Sequence, residues 1–280
     1  MEKILVCLKQ VPNTKDVKIN PENHTLIREG VESIINPSDD YALEEALILK
    51  RKYGVKVATM TMGPPQAEAM LEYSLRRGAD EAYLLSDAKL AGSDTWATAI
   101  AIVALIKKIK CENIFCGQES IDSGTGHIGA SLAELLNIPQ VNYAKKVMGF
   151  ANGRIKVLAK FDNSDALMEV IPPLVISFLK KGSEMKFKER KDTAIPAVNK
   201  VTLKDLRLAP GHVGLEGSFT QVVSIDIDER FVGYVMVDSG LSADDRILYI
   251  TSGGIEENEN RKVMKEMTED AVTELAGLIR

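Results

Sequence analysis

The sequence predicts an α/β protein built on a doubly wound, mostly parallel sheet. Short apolar runs of strand length alternate with longer helical patterns four times within about 140 residues. The runs are nearly continuously apolar, as suits strands covered on both faces. Glycine, proline and hydroxyl residues gather where each strand pattern stops.

The elements follow in order. Residues 3–9 form the first strand pattern, and Pro12 should end its ladder at Gln10-Val11-Pro12. Residues 17–28 alternate weakly around Asn20-Pro21-Glu22-Asn23, which suggests a hairpin-like excursion. Asn36-Pro37-Ser38-Asp39 starts a helix: Asn36 can cap, Pro37 suits the first position and acids follow. That helix should reach Tyr53 and stop at Gly54. A second strand covers 55–62, and Gly63-Pro64-Pro65 opens a helix that ends at Arg77-Gly78. The third strand is 81–85, after which Ser93-Asp94-Thr95 caps a helix to about Lys108. The fourth strand, 113–116, ends in Gly117, and the polar loop 118–126 leads into a helix over 127–136.

After Pro139 the rhythm changes. Residues 141–148, 154–161 and 166–178 have strand patterns with no helix between them, which predicts an antiparallel addition to the same sheet. Residues 180–191 are dense in charge and suit either a solvated loop or a partner-docking loop. From Pro210 to Gly240 the chain is punctuated by glycine. Val263, Met267, Ala271, Leu275 and Leu278 then repeat at helical spacing, predicting a helix over 258–279. The expected division is an α/β domain, 1–200, and a C-terminal arm with a helix, 201–280.

The formal net charge of −5 argues against a nucleic-acid footprint. The apolar run around 97–106 is too short to insert in a membrane, and the first residues lack a signal-peptide series. A cytoplasmic location is therefore expected. Cys7, Cys111 and Cys116 make neither a metal spacing nor an even disulfide set, and suit small buried thiols in a reducing compartment.

Side-chain catalysis has little support. His24, His127 and His212 share no constellation, and there is no HExxH, G-x-S-x-G or P-loop pattern. What remains is a set of loops at the expected carboxyl ends of the strands, where open α/β sheets bind ligands. They are 9–12, Met62-Gly63-Pro64, 93–98 and 117–129. The last two open helices, whose first N–H groups and dipole favour an anion. Thr95, Thr98, Ser123 and Thr125 add hydroxyl donors, and Gly124 and Gly126 allow close backbone approach. Two such ends on adjacent helices suit a diphosphate. The loop is not G-x-G-x-x-G, so a conventional dinucleotide fingerprint is absent.

At these loops the chain resembles the electron-transfer flavoprotein beta subunit. The matching segments are 4–12, 36–44, Met62-Gly63-Pro64-Pro65, 77–82 and 117–129, and the resemblance covers about residues 1–220. Residues 217–222 resemble the family's G-S-P-T-x-V, with Phe219 in place of proline. The resemblance implies a fold of the adenine nucleotide alpha hydrolase type and a heterodimer with an FAD-carrying alpha subunit. The C-terminal arm would pack on that subunit or on a dehydrogenase.

In this family the beta subunit binds AMP or a second FAD. Asp94-Thr95-Trp96-Ala97-Thr98 and the compact loop after the fourth strand resemble the electron-bifurcating members, which hold FAD. There NADH supplies electrons to ferredoxin or flavodoxin and, through the alpha-subunit FAD, to a dehydrogenase of the acyl-CoA or hydroxy-acid type. The resemblance puts the adenine end against Leu8, Met62 and the stretch Gly117, Gln118 to Asp122. It puts phosphates at Thr95, Thr98, Thr125 and the amides of Gly126, His127 and Ile128, with Gly63, Asp94, Ser123 and Gly124 among the other cofactor-binding residues. Val11, Pro12, Asn36 and Asp39 would approach the ribityl chain or flavin edge. Two other readings stand beside this one: a simple electron carrier with structural AMP, and a non-redox adenine-nucleotide sensor.

Overall fold

A computed structural model describes residues 2–13, 33–179 and 194–221. Strand β1, Lys3–Cys7, lies in the interior of a nine-stranded sheet, and β2, Gln10–Pro12, pairs antiparallel with β3, Ser33–Ile35. Pro12 therefore does not end all pairing: it sits opposite Ser33 in this two-stranded ribbon, where an edge strand has no need of its missing N–H. Helix α1, Pro37–Tyr53, has Pro37 in its first turn and ends on Gly54 at φ 71°, a left-handed cap that glycine adopts freely. Strand β4, Lys56–Met62, a single 3₁₀ turn and α2, Glu68–Arg77, follow.

Next come β5, Glu81–Leu85; α3, Thr95–Ile109; β6, Asn113–Gly117; and α4, Ile128–Leu136. The long strand β7, Gln140–Ala151, turns into β8, Arg154–Phe161, and β9, Ser164–Val170. Strand β10, Val175–Phe178, β11, Asn199–Val201, and the short helix α5, Leu203–Leu206, complete the described elements.

The sheet order is β11-β5-β4-β1-β6-β10-β7-β8-β9. From β11 to β7 every pair is parallel, and only β7-β8 and β8-β9 are antiparallel. The antiparallel addition is thus present, with one correction. The segment 166–178 is two strands, because Pro172 and Pro173 cannot donate to a ladder. Past that break the chain returns, and β10 inserts parallel between β6 and β7.

Both faces of the parallel sheet are covered. Ile4 and Val6 pack with α1 and α2 through Leu43, Leu47 and Leu71. Leu5 and Cys7 face the other way, against Leu105 and Ile106 of α3 and Leu132 of α4. This double burial explains why β1 shows no alternation. Phe115 and Phe178 are fully buried on the α1 side, 5.2 Å apart between ring centroids. Burying each contributes about 1.5–3 kcal/mol.

The hairpin expected over 17–28, the charged segment 180–191 and the helix expected over 258–279 lie outside the described residues. Among the described residues no helix is long and apolar enough to cross a membrane.

Candidate functional site

Helix α1 follows β1 on one face of the sheet, whereas α4 follows β6 on the other. Because β1 and β6 are neighbours, the chain parts in opposite directions at their carboxyl ends and leaves a crevice. Asp39 spans it. Its Oδ2 accepts the N–H of Lys9 at 2.8 Å, just beyond β1, and its Oδ1 accepts the N–H of Gly117 at 2.8 Å, at the end of β6. Burial pushes its carboxyl up to about 7, against the two backbone donors and the nearby Lys9 charge, which pull it down. Gly117 permits the approach: a Cβ there would lie 2.4 Å from Asp39 Oδ1 and 2.8 Å from Ser38 Cβ.

The loop after β6 is held by side chains of the other loops. Asn36 occupies the N-cap position of α1 but makes no side-chain capping bond. Its amide reaches across instead, donating to the Glu119 carbonyl at 2.9 Å and accepting the Ile121 N–H at 3.2 Å. Ser38 donates to the same Glu119 carbonyl at 2.7 Å. Lys9 Nζ lies 2.6 Å from Asp122 Oδ1, 3.0 Å from Ser120 Oγ and 3.2 Å from Ser123 Oγ. Gln118 accepts from Ser177 Oγ at 2.7 Å and from the Tyr143 N–H at 3.0 Å. Gly124 and Gly126 take left-handed φ values of 62° and 66°, which turn the chain into α4.

The two helix N-termini at the crevice differ. At α4, His127 is the N-cap and its side chain makes no capping bond, so among the described residues the first-turn amides have no side-chain acceptor. At α3, Asp94 is a full cap: Oδ1 accepts the Ala97 N–H at 2.9 Å, while Oδ2 accepts the N–H and the hydroxyl of Thr220, each at 2.9 Å. Partial burial opposes its charged form, but these donors outweigh it and hold the carboxyl below the usual carboxylate range. An anion therefore meets open amides at α4, and a carboxylate already in place at α3.

Between these ends lies a cavity of about 500 Å³, the size of a small-molecule site. Its apolar lining comes from Cys7, Leu8, Met60, Met62, Ile102 and Cys116. Burial pushes the Cys7 and Cys116 thiols well above their ordinary range, so both stay protonated. The polar lining runs from Asn36 and Asp39, past Gly117, Gln118 and Ser123, to Thr125, Gly126, His127 and Ile128. Asp94, Thr95 and Thr98 supply the α3 wall. Most of the site residues expected from the sequence are thus brought together.

Five of them do not line the cavity. Val11 and Pro12 are buried in β2, Gly63 donates to the Leu85 carbonyl, Asp122 holds Lys9, and Gly124 shapes the turn. Sequence reasoning also missed some lining residues. Cys7, Met60 and Cys116 are strand residues whose apolar character signalled core alone. Lys9 sat in the right loop without a motif. Thr220 reaches the α3 wall from 126 residues away, a distance that no local pattern bridges. Among the described residues no cluster of His, Cys, Asp and Glu could hold a metal ion.

Comparison with known proteins agrees with this geometry. Residues 23–206 match the electron transfer flavoprotein domain. The chain is 42% identical over 226 residues to the electron transfer flavoprotein subunit beta of Thermoanaerobacterium thermosaccharolyticum, covering 79% of this chain and 86% of the relative. It is 40% identical over 225 residues to the caffeyl-CoA reductase-Etf complex subunit CarD of Acetobacterium woodii, covering 79% and 86%. To the FixA protein of Azotobacter vinelandii it is 38% identical over 232 residues, covering 79% and 82%. Matched over most of its length, the chain belongs to the electron-transfer flavoprotein family, among the beta subunits and FixA proteins.

Proposed function

We propose that the crevice cavity holds FAD, and that this chain and an alpha subunit with its own FAD form a bifurcating electron-transfer flavoprotein reduced by NADH. One observation carries the choice of FAD over AMP. The hydroxyl residues Thr95 and Thr98 of α3 and the uncapped N-terminus of α4 line the same cavity. Open amides at α4 and the hydroxyls of Thr95 and Thr98 at α3, where Asp94 already caps the helix, are two separate sets of donors, which suit the two phosphates of FAD, whereas AMP needs one.

The remaining roles follow from the chemistry of the lining. The uncapped amides of α4, with Thr125, would hold one phosphate, and Thr95 and Thr98 the other. Leu8, Met60 and Met62 offer an apolar bed for an aromatic ring system. Asp39 and Lys9 keep the two sides of the crevice at fixed separation, which pre-organises the site. A flavin held here would supply the redox chemistry. The chain's own residues would hold, orient and desolvate it. The acceptors in this reading are ferredoxin or flavodoxin and, through the alpha subunit, an FAD-dependent dehydrogenase.

Anaerobic titration of the purified heterodimer with NADH tests the reading. Bleaching of flavin absorbance that disappears in a Thr95→Val, Thr125→Val double variant supports it. A heterodimer whose flavin NADH does not reduce is a simple electron carrier, and the proposal fails.

A further inference from the structure

One residue of the cavity lining, Thr220, comes from a segment far along the chain, beyond the sheet and its helices. After the 3₁₀ turn Pro210–His212, Val213 is buried in the core on the α3 side, and residues 214–220 then run along the loop before α3. The contact is close. A Cβ on Gly214 would lie 2.2 Å from the Lys89 carbonyl oxygen, and one on Gly92 would lie 2.4 Å from Leu215 Cδ1. Gly214 donates its N–H to Ser93 Oγ at 2.9 Å, and Asp94 donates its own to Ser218 Oγ at 2.8 Å. Thr220 closes the series with its two bonds to Asp94 Oδ2 and lines the cavity beside Thr95. Outside the cavity, Phe219 packs on Trp96 with ring centroids 5.6 Å apart.

Asp94 is a carboxylate on the wall that faces the anion-binding end of α4. With the strap in place, Oδ2 is turned to two donors of Thr220. With the strap away, that oxygen loses both donors, and the wall presents an uncompensated negative charge to any phosphate. The far end of the strap is held by exposed groups: Phe219 is 80% exposed, and the two Thr220 bonds to Asp94 lie at the surface. Such a segment opens at low free energy.

We infer that the 214–220 strap is an affinity-setting latch for the nucleotide cavity, with Asp94 and the Trp96–Phe219 stack as its positioning residues. The inference rests on the nucleotide-binding reading above. By linkage, a nucleotide that favours the closed strap slows its opening, and a weakened strap lowers nucleotide affinity by the same factor.

Phe219 makes the test clean, because its ring touches Trp96 and does not line the cavity. The full chain, co-purified with its alpha subunit and stripped of nucleotide, is titrated with AMP and with FAD. Amide hydrogen exchange over 214–221 is followed in parallel. Nucleotide should slow that exchange, and Phe219→Ala should speed it and weaken nucleotide binding about two- to tenfold. Phe219→Tyr, which keeps the stack, should restore both. If nucleotide binds and the exchange of 214–221 does not change, the latch is refuted while the nucleotide site stands. The latch is equally refuted if Phe219→Ala loosens the strap at unchanged affinity. If neither nucleotide binds the wild-type protein, the site reading itself fails, and the latch with it.

Discussion

Asp39→Asn probes the crevice most sharply. The wild-type carboxylate accepts one backbone N–H from each side, Lys9 and Gly117. Asparagine can accept one, and its amide then faces the other N–H with no acceptor. Leaving a buried donor unpaired costs about 1–3 kcal/mol. The pH dependence runs the other way. Burial raises the Asp39 carboxyl from 3.8 to about 7, so the folded protein binds the proton more tightly than the unfolded chain. The stabilising contribution of that proton is full below the unfolded value and is lost as pH rises through about 7. A rise of about three units at 1.36 kcal/mol per unit amounts to about 4 kcal/mol. The Asn variant has no such proton. It should be less stable than wild type at pH 4, and this deficit should shrink or reverse by pH 7.5. Urea unfolding of both proteins across that range, followed by far-UV circular dichroism, measures it. Parallel stability curves with a constant offset would refute the raised carboxyl and its cause.

Three further substitutions test neighbouring parts. Gly117→Ala places a methyl 2.4 Å from Asp39 Oδ1, against the start of α1, and should destabilise the protein by about 1–3 kcal/mol in a denaturant melt and abolish nucleotide retention. Lys9→Met removes the tie to Asp122, Ser120 and Ser123, so amide exchange over 118–126 should accelerate and stability fall by about 1–2 kcal/mol. Gly126→Ala forces a side chain onto φ 66° and should cost about 1–2 kcal/mol, with a matching loss of nucleotide affinity in equilibrium dialysis.

The central parallel sheet was legible because its punctuation is local. Pro37 suits the first turn of α1, Gly54 and Gly78 stop α1 and α2 in left-handed caps, and Asp94 caps α3. Each works within a few residues of chain. What escaped is non-local or short. Strands β2, β3 and β11 have three residues each, too few for a period to register. The insertion of β10 between β6 and β7 is a matter of chain return, although Pro172-Pro173 did mark the break before it. Within the site, the two loops that open α3 and α4 were readable from hydroxyls, glycines and helix starts. The clamp made by Asp39 was not, since its Gly117 partner is 78 residues distant and becomes a neighbour only when β6 pairs with β1. Asp39 looked like a first-turn acid beside a ligand, and it is also the brace that defines the crevice.

The central claim is that this cavity holds FAD. Co-expression with the alpha subunit, purification and release of bound nucleotides by denaturation allow FAD and AMP to be counted per heterodimer. The account predicts two FAD and no AMP. One FAD with one AMP would contradict it, and would leave a single-flavin electron carrier with a structural nucleotide in this crevice.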